Sequence, residues 1–383
     1  MQTPYSMDHP APAVVPLFAP VTLGGLALRN RIVMAPMTRA FSPGGVPGDD
    51  VADYYRRRAE GGVGLIISEG TWVGHPSASN DPNVPMFYGD EALAGWRNVC
   101  RQIHAAGAKM VPQLWHIGAA AKSDVAEIYK DNSSDDTERL GPSGLVKAGV
   151  DGGRAMTRNE IEDVIEAYAV AGRAAFDIGF DGVEIHGAHG YLVDQFLWHE
   201  TNRREDAFGG DIAARAHFGA EIVRRVRART SPTFPIIFRF SQWKMQDYGA
   251  RAWPSPVDLE AFLSPLTVAG VDIFHCSQRR YWEPEFVGSD LNLAGWTRTL
   301  SGKPTITVGS VTLNAEMIST LMEGETAGPR SIADLVGRVE REEFDLVAIG
   351  RALITNPDWP KVVATGDVEA LNPFSVAALA ELR

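Results

Sequence analysis

The chain has 383 residues, 45% of them hydrophobic, and a formal net charge of −12 at pH 7. Its acidic balance argues against nucleic-acid binding, which needs a basic surface. No uncharged apolar run approaches the roughly 20 residues of a membrane span, so no membrane association is expected. The length fits one (β/α)8 barrel with insertions, because such barrels typically hold about 250 residues and extend beyond ~400.

Two features of the sequence indicate a cytoplasmic protein. The proline-rich N-terminus has neither a basic start nor an apolar segment, so no secretory signal is predicted. The two cysteines, Cys100 and Cys276, are not a close-spaced pair, which excludes a CxxC zinc or iron–sulfur site. Such sparse cysteine usage suits a reducing compartment.

Short apolar runs alternate with amphipathic stretches along the chain, as is typical of βαβ units and a parallel sheet. Eight strands are predicted, at Arg31–Met34, Gly64–Ser68, Lys109–Leu114, Gly182–His186, Ile236–Phe240, Asp272–His275, Thr305–Val308 and Leu346–Ile349. The clearest helices are Asp50–Glu60, Glu91–Ala106, Arg158–Ile178, Ile212–Thr230, Pro256–Ala269 and Leu313–Met322. This order predicts one TIM-barrel domain over residues 1–383. A doubly wound sheet is the alternative, but no GxGxxG sequence follows the first strand.

Three segments fall outside this pattern. Residues 1–15 are expected to form a flexible N-terminal arm. Residues 119–151 are the longest irregular stretch, a loop insertion after the third strand that forms either part of a lid or surface decoration. The loop at 274–286, after the sixth strand, is rich in arginine and aromatic residues; covering the substrate, binding a dinucleotide phosphate and plain packing all remain open for it.

The fourth predicted strand lies in the most informative segment, Gly179–Tyr191, with the sequence GFDGVEIHGAHGY. Because side chains alternate along a strand, Glu184 and His186 share one face, which is unlike an ordinary apolar core. Glycines after the strand permit a sharp turn that brings His186, His189 and Tyr191 together. Three hydrogen-bonding groups at the end of a strand indicate a reaction site.

This segment and five others resemble the old yellow enzyme family of FMN-dependent ene-reductases. The others are APMTR (35–39), QLWHIG (113–118), QFL…TNRREDAFGG (195–210), FRFS (238–241) and AIGRALITNPDW (348–359). Together they follow the family's order and spacing over roughly residues 15–365. The resemblance implies a TIM barrel that binds FMN non-covalently, takes NAD(P)H as co-substrate and an activated alkene as substrate, and allows a homodimer.

The resemblance assigns the chemistry to the fourth strand's end. His186 and His189 would donate hydrogen bonds to the carbonyl or nitro oxygen of the alkene, and Tyr191 would protonate its α carbon as general acid. Many relatives pair one histidine with asparagine, so the chain would be of the His/His type. Trp115 would wall the substrate pocket. Metal-binding or purely structural histidines are the alternatives, although a catalytic zinc wants three protein ligands and no obvious third is present.

The FMN-binding residues implied by the resemblance all follow predicted strands, where barrel active sites lie. They are Pro36, Met37, Thr38, Gly70, Gln113, Arg239, Gly309, Ser310, Gly350 and Arg351. Gln113 and Arg239 would meet the flavin ring, although a buried salt bridge with Glu184 is the alternative for Arg239. Gly309, Gly350 and Arg351 would hold the phosphate, unless the glycines only make tight turns. Relatives often carry a second glycine at the position of Ser310, which leaves the subfamily open.

The resemblance therefore predicts hydride transfer to the β carbon of an activated alkene, with ping-pong kinetics. A flavin-dependent amine or alcohol dehydrogenase is the first alternative. A metal-dependent barrel hydrolase or lyase using His186 and His189 is the second.

Overall fold

The computed structural model describes residues 5–79, 81–120 and 138–383. Eight parallel strands close into one barrel, which confirms the predicted TIM-barrel fold. In chain order the strands are β1 Ile32–Met34, β2 Leu65–Trp72, β3 Lys109–Trp115, β4 Val183–His189, β5 Ile236–Lys244, β6 Ile273–Ser277, β7 Thr305–Val308 and β8 Leu346–Ile349. Each strand pairs with the next along the chain, and β8 pairs with β1 to close the barrel.

Helices surround the barrel. They span Val15–Phe18, Asp49–Glu60, Asp90–Ala105, Arg158–Ile178, Leu192–Leu197, Ile212–Arg215, His217–Arg229, Pro256–Ala269, Leu293–Ser301, Met317–Leu321, Ala333–Glu340, Arg351–Thr355 and Trp359–Ala364. The predicted helix Ile212–Thr230 is divided at Ala216, and the predicted helix Leu313–Met322 is reduced to five residues. Several short helices were not predicted, because one or two turns show too little periodicity.

Local end signals explain why Arg158–Ile178 agrees with its predicted bounds. Thr157 accepts the Glu160 N–H, and the Glu160 carboxylate accepts the Thr157 N–H in return, which is a capping box. At the other end Gly179 adopts φ 97°, a left-handed conformation that glycine takes at low cost. The chain then enters β4 at Val183, so the end of this helix determines where β4 begins.

The barrel interior is filled by inward-facing aliphatic side chains from its strands. They include Val33, Leu65, Ile67, Val111, Ile237, Ile273, Ile306 and Leu346. An antiparallel hairpin, Val21–Leu23 with Leu26–Leu28, adds Leu26 and Leu28 to the same cluster. A Cβ on Gly24 of this hairpin would lie 3.0 Å from the Asp272 Cβ, just before β6. The hairpin therefore covers the N-terminal end of the barrel, which leaves the C-terminal end for a ligand.

The predicted loop insertion, residues 119–151, is described only in part, because residues 121–137 lie outside the described residues. Its remainder contains short strands that the sequence did not predict. Leu140–Gly141 pairs with Arg154–Ala155, and Leu145–Lys147 pairs with Val150–Asp151. Strands of two or three residues are too short for side-chain alternation to reveal.

The predicted N-terminal arm, residues 1–15, contacts the rest of the protein at two buried residues. Ala11 and Val14 are buried, and the Ala11 N–H donates to the Ala364 carbonyl at 2.8 Å. Residues 1–4 lie outside the described residues. These contacts hold Ala11 and Val14 against the protein, and the flexibility expected of residues 1–15 stays a prediction. Among the helices the structure describes, none is long and apolar enough to cross a membrane.

Candidate active site

A cavity opens at the C-terminal end of the barrel and collects most of the sequence-predicted site residues. Those that line it are Pro36, Met37, Thr38, Gln113, His186, His189, Tyr191, Arg239, Gly309, Ser310, Gly350 and Arg351. They come from strand ends that are far apart in the sequence. The closed barrel brings them to one rim, as the parallel strand order requires.

Gly70 and Trp115 lie beside the cavity and are not among the residues that line it. A Cβ on Gly70 would lie 3.1 Å from the Trp115 ring, so glycine makes room for the indole. The Trp115 ring lies 5.0 Å from the Tyr191 ring and 6.5 Å from the His186 ring, centroid to centroid. Trp115 therefore packs against these two rings, and its expected role as a wall of the substrate pocket stays a prediction.

A buried hydrogen-bonded chain lies inside the barrel below the cavity. Glu184 is opposite Gln113 on the neighbouring strand, and the Gln113 Nε2 donates to Glu184 Oε1 at 2.7 Å. The His275 Nδ1 lies 2.7 Å from the other carboxylate oxygen. These contacts turn the Gln113 nitrogen towards Glu184 and its oxygen away from it. They also occupy Glu184, whose carboxylate forms no ion pair with Arg239 in the described part of the chain.

Arg239 is a buried cation with spare hydrogen-bonding capacity. Burial lowers its pKa to about 10, so it stays protonated at neutral pH, and the nearby Glu184 charge supports that form. Its Nη2 donates to the Ser277 Oγ at 3.5 Å, while its buried Nε has no partner among the described residues. An unpaired buried donor costs free energy unless a ligand atom meets it. Arg239 therefore fits an acceptor-rich ligand in the cavity.

His186, His189 and Tyr191 form a cluster of rings over this region. The ring centroid of His186 lies 5.3 Å from that of His189 and 5.2 Å from that of Tyr191. Burial, assisted by the Arg239 charge, holds the pKa of both histidines well below the ordinary value. Each imidazole is therefore neutral at pH 7 and carries a single N–H.

The contacts of the two histidines differ. The His189 Nε2 lies 2.8 Å from the Ser277 Oγ, and its ring stacks on Trp243 with centroids 4.4 Å apart. The buried His186 Nδ1 has no hydrogen-bond partner in the part of the chain that the structure describes. His189 is thus fixed on two sides, whereas His186 keeps a nitrogen for a ligand.

The loops after β7 and β8 form the other end of the cavity. Gly309 has φ 145°, and a Cβ there would lie 2.6 Å from the Gln278 carbonyl oxygen, so the backbone approach requires glycine. Arg351 joins the two loops, since its guanidinium donates to the Ser310 Oγ at 3.3 Å and to the Ala315 and Glu316 carbonyl oxygens at 2.9 and 2.8 Å. Burial lowers the pKa of Arg351 to about 10, so it remains a cation at pH 7. A fixed cation between glycine-containing turns suits a phosphate.

The cavity also has lining residues that the sequence reading missed. Trp243 lies in β5, Met245 and Tyr248 come after that strand, and Ser277 ends β6. The prediction stopped β5 at Phe240, although it runs to Lys244. Continuing the alternation from Arg239 by two and four residues would have reached Ser241 and Trp243 on the same face.

A metal centre was one alternative for the two histidines. Over the residues that the structure describes, no group of three or more His, Cys, Asp or Glu side chains could hold a metal ion. The neighbours of His186 and His189 are instead aromatic rings, hydroxyls and Arg239.

Comparison with known proteins gives consistent matches over almost the whole chain. Residues 16–369 match the NADH:flavin oxidoreductase / NADH oxidase family. An NADH oxidase of Thermoanaerobacter brockii is 33% identical over 91% of this chain, which spans only 51% of that oxidase. The 12-oxophytodienoate reductase 7 of Oryza sativa subsp. japonica is 32% identical, covering 92% of this chain and 90% of the reductase. A structure of morphinone reductase in complex with tetrahydroNAD superposes with a TM-score of 0.77 at 29% identity, covering 95% and 93% of the two chains.

Proposed function

Because the chain belongs to the NADH:flavin oxidoreductase / NADH oxidase family, the old yellow enzymes that its motifs resemble, we propose that it reduces activated C=C bonds. Family membership makes it an FMN-dependent oxidoreductase with NAD(P)H as co-substrate. The proposed substrates are α,β-unsaturated carbonyls, nitroalkenes and maleimides. One observation carries the proposal: two neutral imidazoles and a phenol meet over a buried arginine in one cavity.

The donor set of the cavity fits FMN. Gln113 and Arg239 would bind the polar edge of the flavin ring, and Thr38, Pro36 and Met37 would contact its other atoms. The phosphate would lie between the loops of β7 and β8, against Gly309, Ser310, Gly350 and Arg351. The unpartnered Arg239 Nε supports this assignment, because it is a permanent donor that faces no acceptor among the described residues. Bound FMN would supply the hydride for the β carbon of the alkene.

His186 and His189 would hold the oxygen of the substrate's carbonyl or nitro group. A neutral imidazole offers one N–H. Because the Ser277 Oγ accepts from Arg239, its hydroxyl can donate to the His189 Nε2 and leave the N–H of that ring on Nδ1. The two rings would then supply a pair of donors to one oxygen. Negative charge grows on that oxygen as the alkene is reduced, and donors fixed in advance stabilise it. The stacking of His189 on Trp243 and its contact with Ser277 would keep its ring in place during the reaction.

Tyr191 would give the proton to the α carbon. A phenol carries its proton at neutral pH and can act as a general acid. Its ring packs edge-on against both Trp115 and His186, which restricts where the hydroxyl can lie. Oxygen binding and proton delivery would thus occur on one side of the cavity. NAD(P)H and the alkene would use this same cavity in turn, so ping-pong kinetics are expected.

Anaerobic half-reactions test the proposal. The FMN-loaded protein is reduced with NADPH and then mixed with a cyclic enone, a nitroalkene or a maleimide. In separate samples the oxidised FMN-loaded protein is mixed with an amine or an alcohol. Rapid formation of the saturated product from the alkenes supports the proposal; reduction of the oxidised flavin by an amine or alcohol, without alkene reduction, would favour the dehydrogenase alternative.

The Tyr191→Phe variant tests the proton donor in the same assay. It should react with NADPH at the wild-type rate but reduce the enone on the order of 10²–10⁴-fold more slowly. Equal slowing of both half-reactions would contradict the role of Tyr191.

A further inference from the structure

The peptide between His189 and Tyr191 has an unusual conformation. His189 has φ 65° and Gly190 has φ 81°, so two consecutive residues adopt left-handed backbone angles. Glycine takes this conformation readily, whereas a histidine does so only where its surroundings hold it. The relative placement of the His189 and Tyr191 side chains depends on these two residues.

The N–H and carbonyl groups of both left-handed residues are all hydrogen-bonded to other parts of the chain. The His189 N–H donates to the Ser241 Oγ at 3.0 Å, the Met245 N–H donates to the His189 carbonyl at 3.2 Å, the Gly190 N–H donates to Asp194 Oδ2 at 2.7 Å, and the Gln195 Nε2 donates to the Gly190 carbonyl at 2.8 Å. Two partners come from β5 and its continuation, and two from the helix Leu192–Leu197. The pair is therefore clamped between these elements.

A buried ion pair joins the two sides of this clamp. The Lys244 Nζ lies 2.6 Å from Asp194 Oδ1, and both side chains are 0% exposed. The same ammonium donates to the Ser241 carbonyl at 2.9 Å. Lys244 thus links Asp194, which accepts the Gly190 N–H, to Ser241, which accepts the His189 N–H.

We infer that Asp194 and Lys244 are positioning residues for His189 and Tyr191, an inference that rests on the proposed function of those two side chains. Neither charged group lines the cavity, so both act through the backbone they hold. Two opposite charges that are buried completely are an expensive way to stabilise a fold, because apolar replacements often serve equally well. Here the Asp194 carboxylate accepts from Lys244 with one oxygen and from the Gly190 N–H with the other, so the ion pair fixes the position of the Gly190 backbone.

The test uses FMN-loaded Asp194→Asn, Lys244→Met and the double variant Asp194→Asn/Lys244→Met. The double variant removes both buried charges together, so we expect it to fold even where a single variant leaves one charge unpaired. A phenol serves as the test ligand, because a phenolate imitates the charged oxygen of the reacting substrate. Its affinity is measured by the absorbance change on binding to the flavoprotein, together with kcat and KM for an enone. Misplacement by about 1 Å can cost on the order of 100-fold, so at least a tenfold loss of phenol affinity and of enone kcat is expected.

Asp272→Asn is the matched control. Asp272 also accepts a backbone N–H, from Ile236, and pairs with a cation, Arg227, but it lies at the opposite end of the barrel. This variant should lose thermal stability and keep wild-type phenol affinity and enone kinetics.

Crystal structures of the variants provide a second readout that does not depend on activity. Departure of His189 from φ near 65° in the double variant supports the inference; retention of that angle together with wild-type phenol affinity overturns it. If the wild-type enzyme neither binds phenols nor reduces alkenes, the proposed function fails. The backbone of His189 in the variants then still decides whether the ion pair holds it.

Discussion

The two ends of the barrel use polar groups in opposite ways. At the N-terminal end, an aspartate precedes each of the strands β4, β6 and β8. Each aspartate accepts a backbone N–H from the first or second residue of the strand before it. Asp181 accepts from Met110, Asp272 from Ile236 and Asp345 from Thr305, at 2.8 to 2.9 Å. Each aspartate also meets a cation, respectively Lys109, Arg227 and Arg298. The same device is thus repeated around this end.

At the C-terminal end the arrangement is irregular. The His186 Nδ1, Arg239 Nε and Trp243 Nε1 are buried without partners among the described residues. His189 and Ser310 have positive φ although neither is glycine. Unpaired donors and strained backbone lower stability and persist where a ligand or a reaction makes use of them. Substitutions at the N-terminal end should therefore change stability, and those of the residues that line the cavity should change binding and catalysis.

Among the substitutions that test this contrast, the largest effect is expected for His186→Ala. Loss of one fixed donor to the substrate oxygen typically slows turnover on the order of 10²–10³-fold. Phenol affinity should fall with it, because a phenolate imitates the charged oxygen. The midpoint of thermal unfolding should change little, because the His186 Nδ1 makes no hydrogen bond in the described structure that the substitution could remove. Unchanged phenol affinity would contradict the proposed contact.

A second prediction concerns Glu69, a buried carboxylate on the rim that accepts the N–H groups of Arg39 and Ala40 at 2.8 and 3.0 Å. Burial raises its pKa from 4.5 to about 7. A raised carboxyl pKa means that the folded protein keeps a proton that the unfolded chain releases, so stability is lost as pH rises from about 4.5 to 7. At about 1.36 kcal/mol per pKa unit, the loss is on the order of 3 kcal/mol.

The Glu69→Gln variant isolates this loss. Its amide oxygen can still accept the two N–H groups, but it does not ionise. Denaturant unfolding of both proteins between pH 4 and 8 measures the difference in their free energies of unfolding, which should move in favour of the variant as pH rises. Parallel curves would show that Glu69 titrates at its ordinary pKa. Glu285, whose pKa burial also raises to about 7, is unchanged in both proteins and cancels in the comparison.

The contrast between the two ends also explains what the sequence could predict. The regular part was predicted well: all eight strands overlap their predicted ranges, and the capped helices Arg158–Ile178 and Pro256–Ala269 agree at both ends. Alternation and capping are local signals, so one sequence carries them. Motif resemblance placed most cavity residues, including Gln113 and Arg239.

The missed features depend on contacts between distant segments. The clamp on His189 needs Lys244 from β5 against Asp194 from the helix after β4, and neither residue has a motif that reveals its partner. The contact between Gly70 and the Trp115 ring likewise joins neighbouring strands from distant parts of the sequence. The burial of Ala11 and Val14 has no local signal in the proline-rich sequence around them. Each of these required the tertiary structure.

Asp181→Ala should show the stabilising role of the N-terminal end. The substitution leaves the Met110 N–H without its acceptor and removes the contacts of Asp181 with His104 and Lys109. A lost acceptor for a buried donor costs about 1–3 kcal/mol. The free energy of unfolding should fall by that amount, while kcat for an enone, per FMN-loaded protein, stays at the wild-type value. A large fall in kcat with unchanged stability would break the contrast between the two ends.

The smallest effect, and the cleanest, is expected for Gly179→Ala. Gly179 ends the helix Arg158–Ile178 with φ 97°, and a Cβ there would meet no described atom within 4 Å. The cost is therefore the backbone conformation alone, about 1 kcal/mol of stability, with normal enone kinetics. Gly190→Ala is its counterpart at the other end: φ is 81°, but a Cβ would lie 2.0 Å from the Gln246 Oε1. Gly190→Ala also disturbs the backbone between His189 and Tyr191, so it should lower the enone kcat. If Gly179→Ala and Gly190→Ala had the same stability and the same enone kcat, the assignment of stability to one end of the barrel and catalysis to the other would be contradicted.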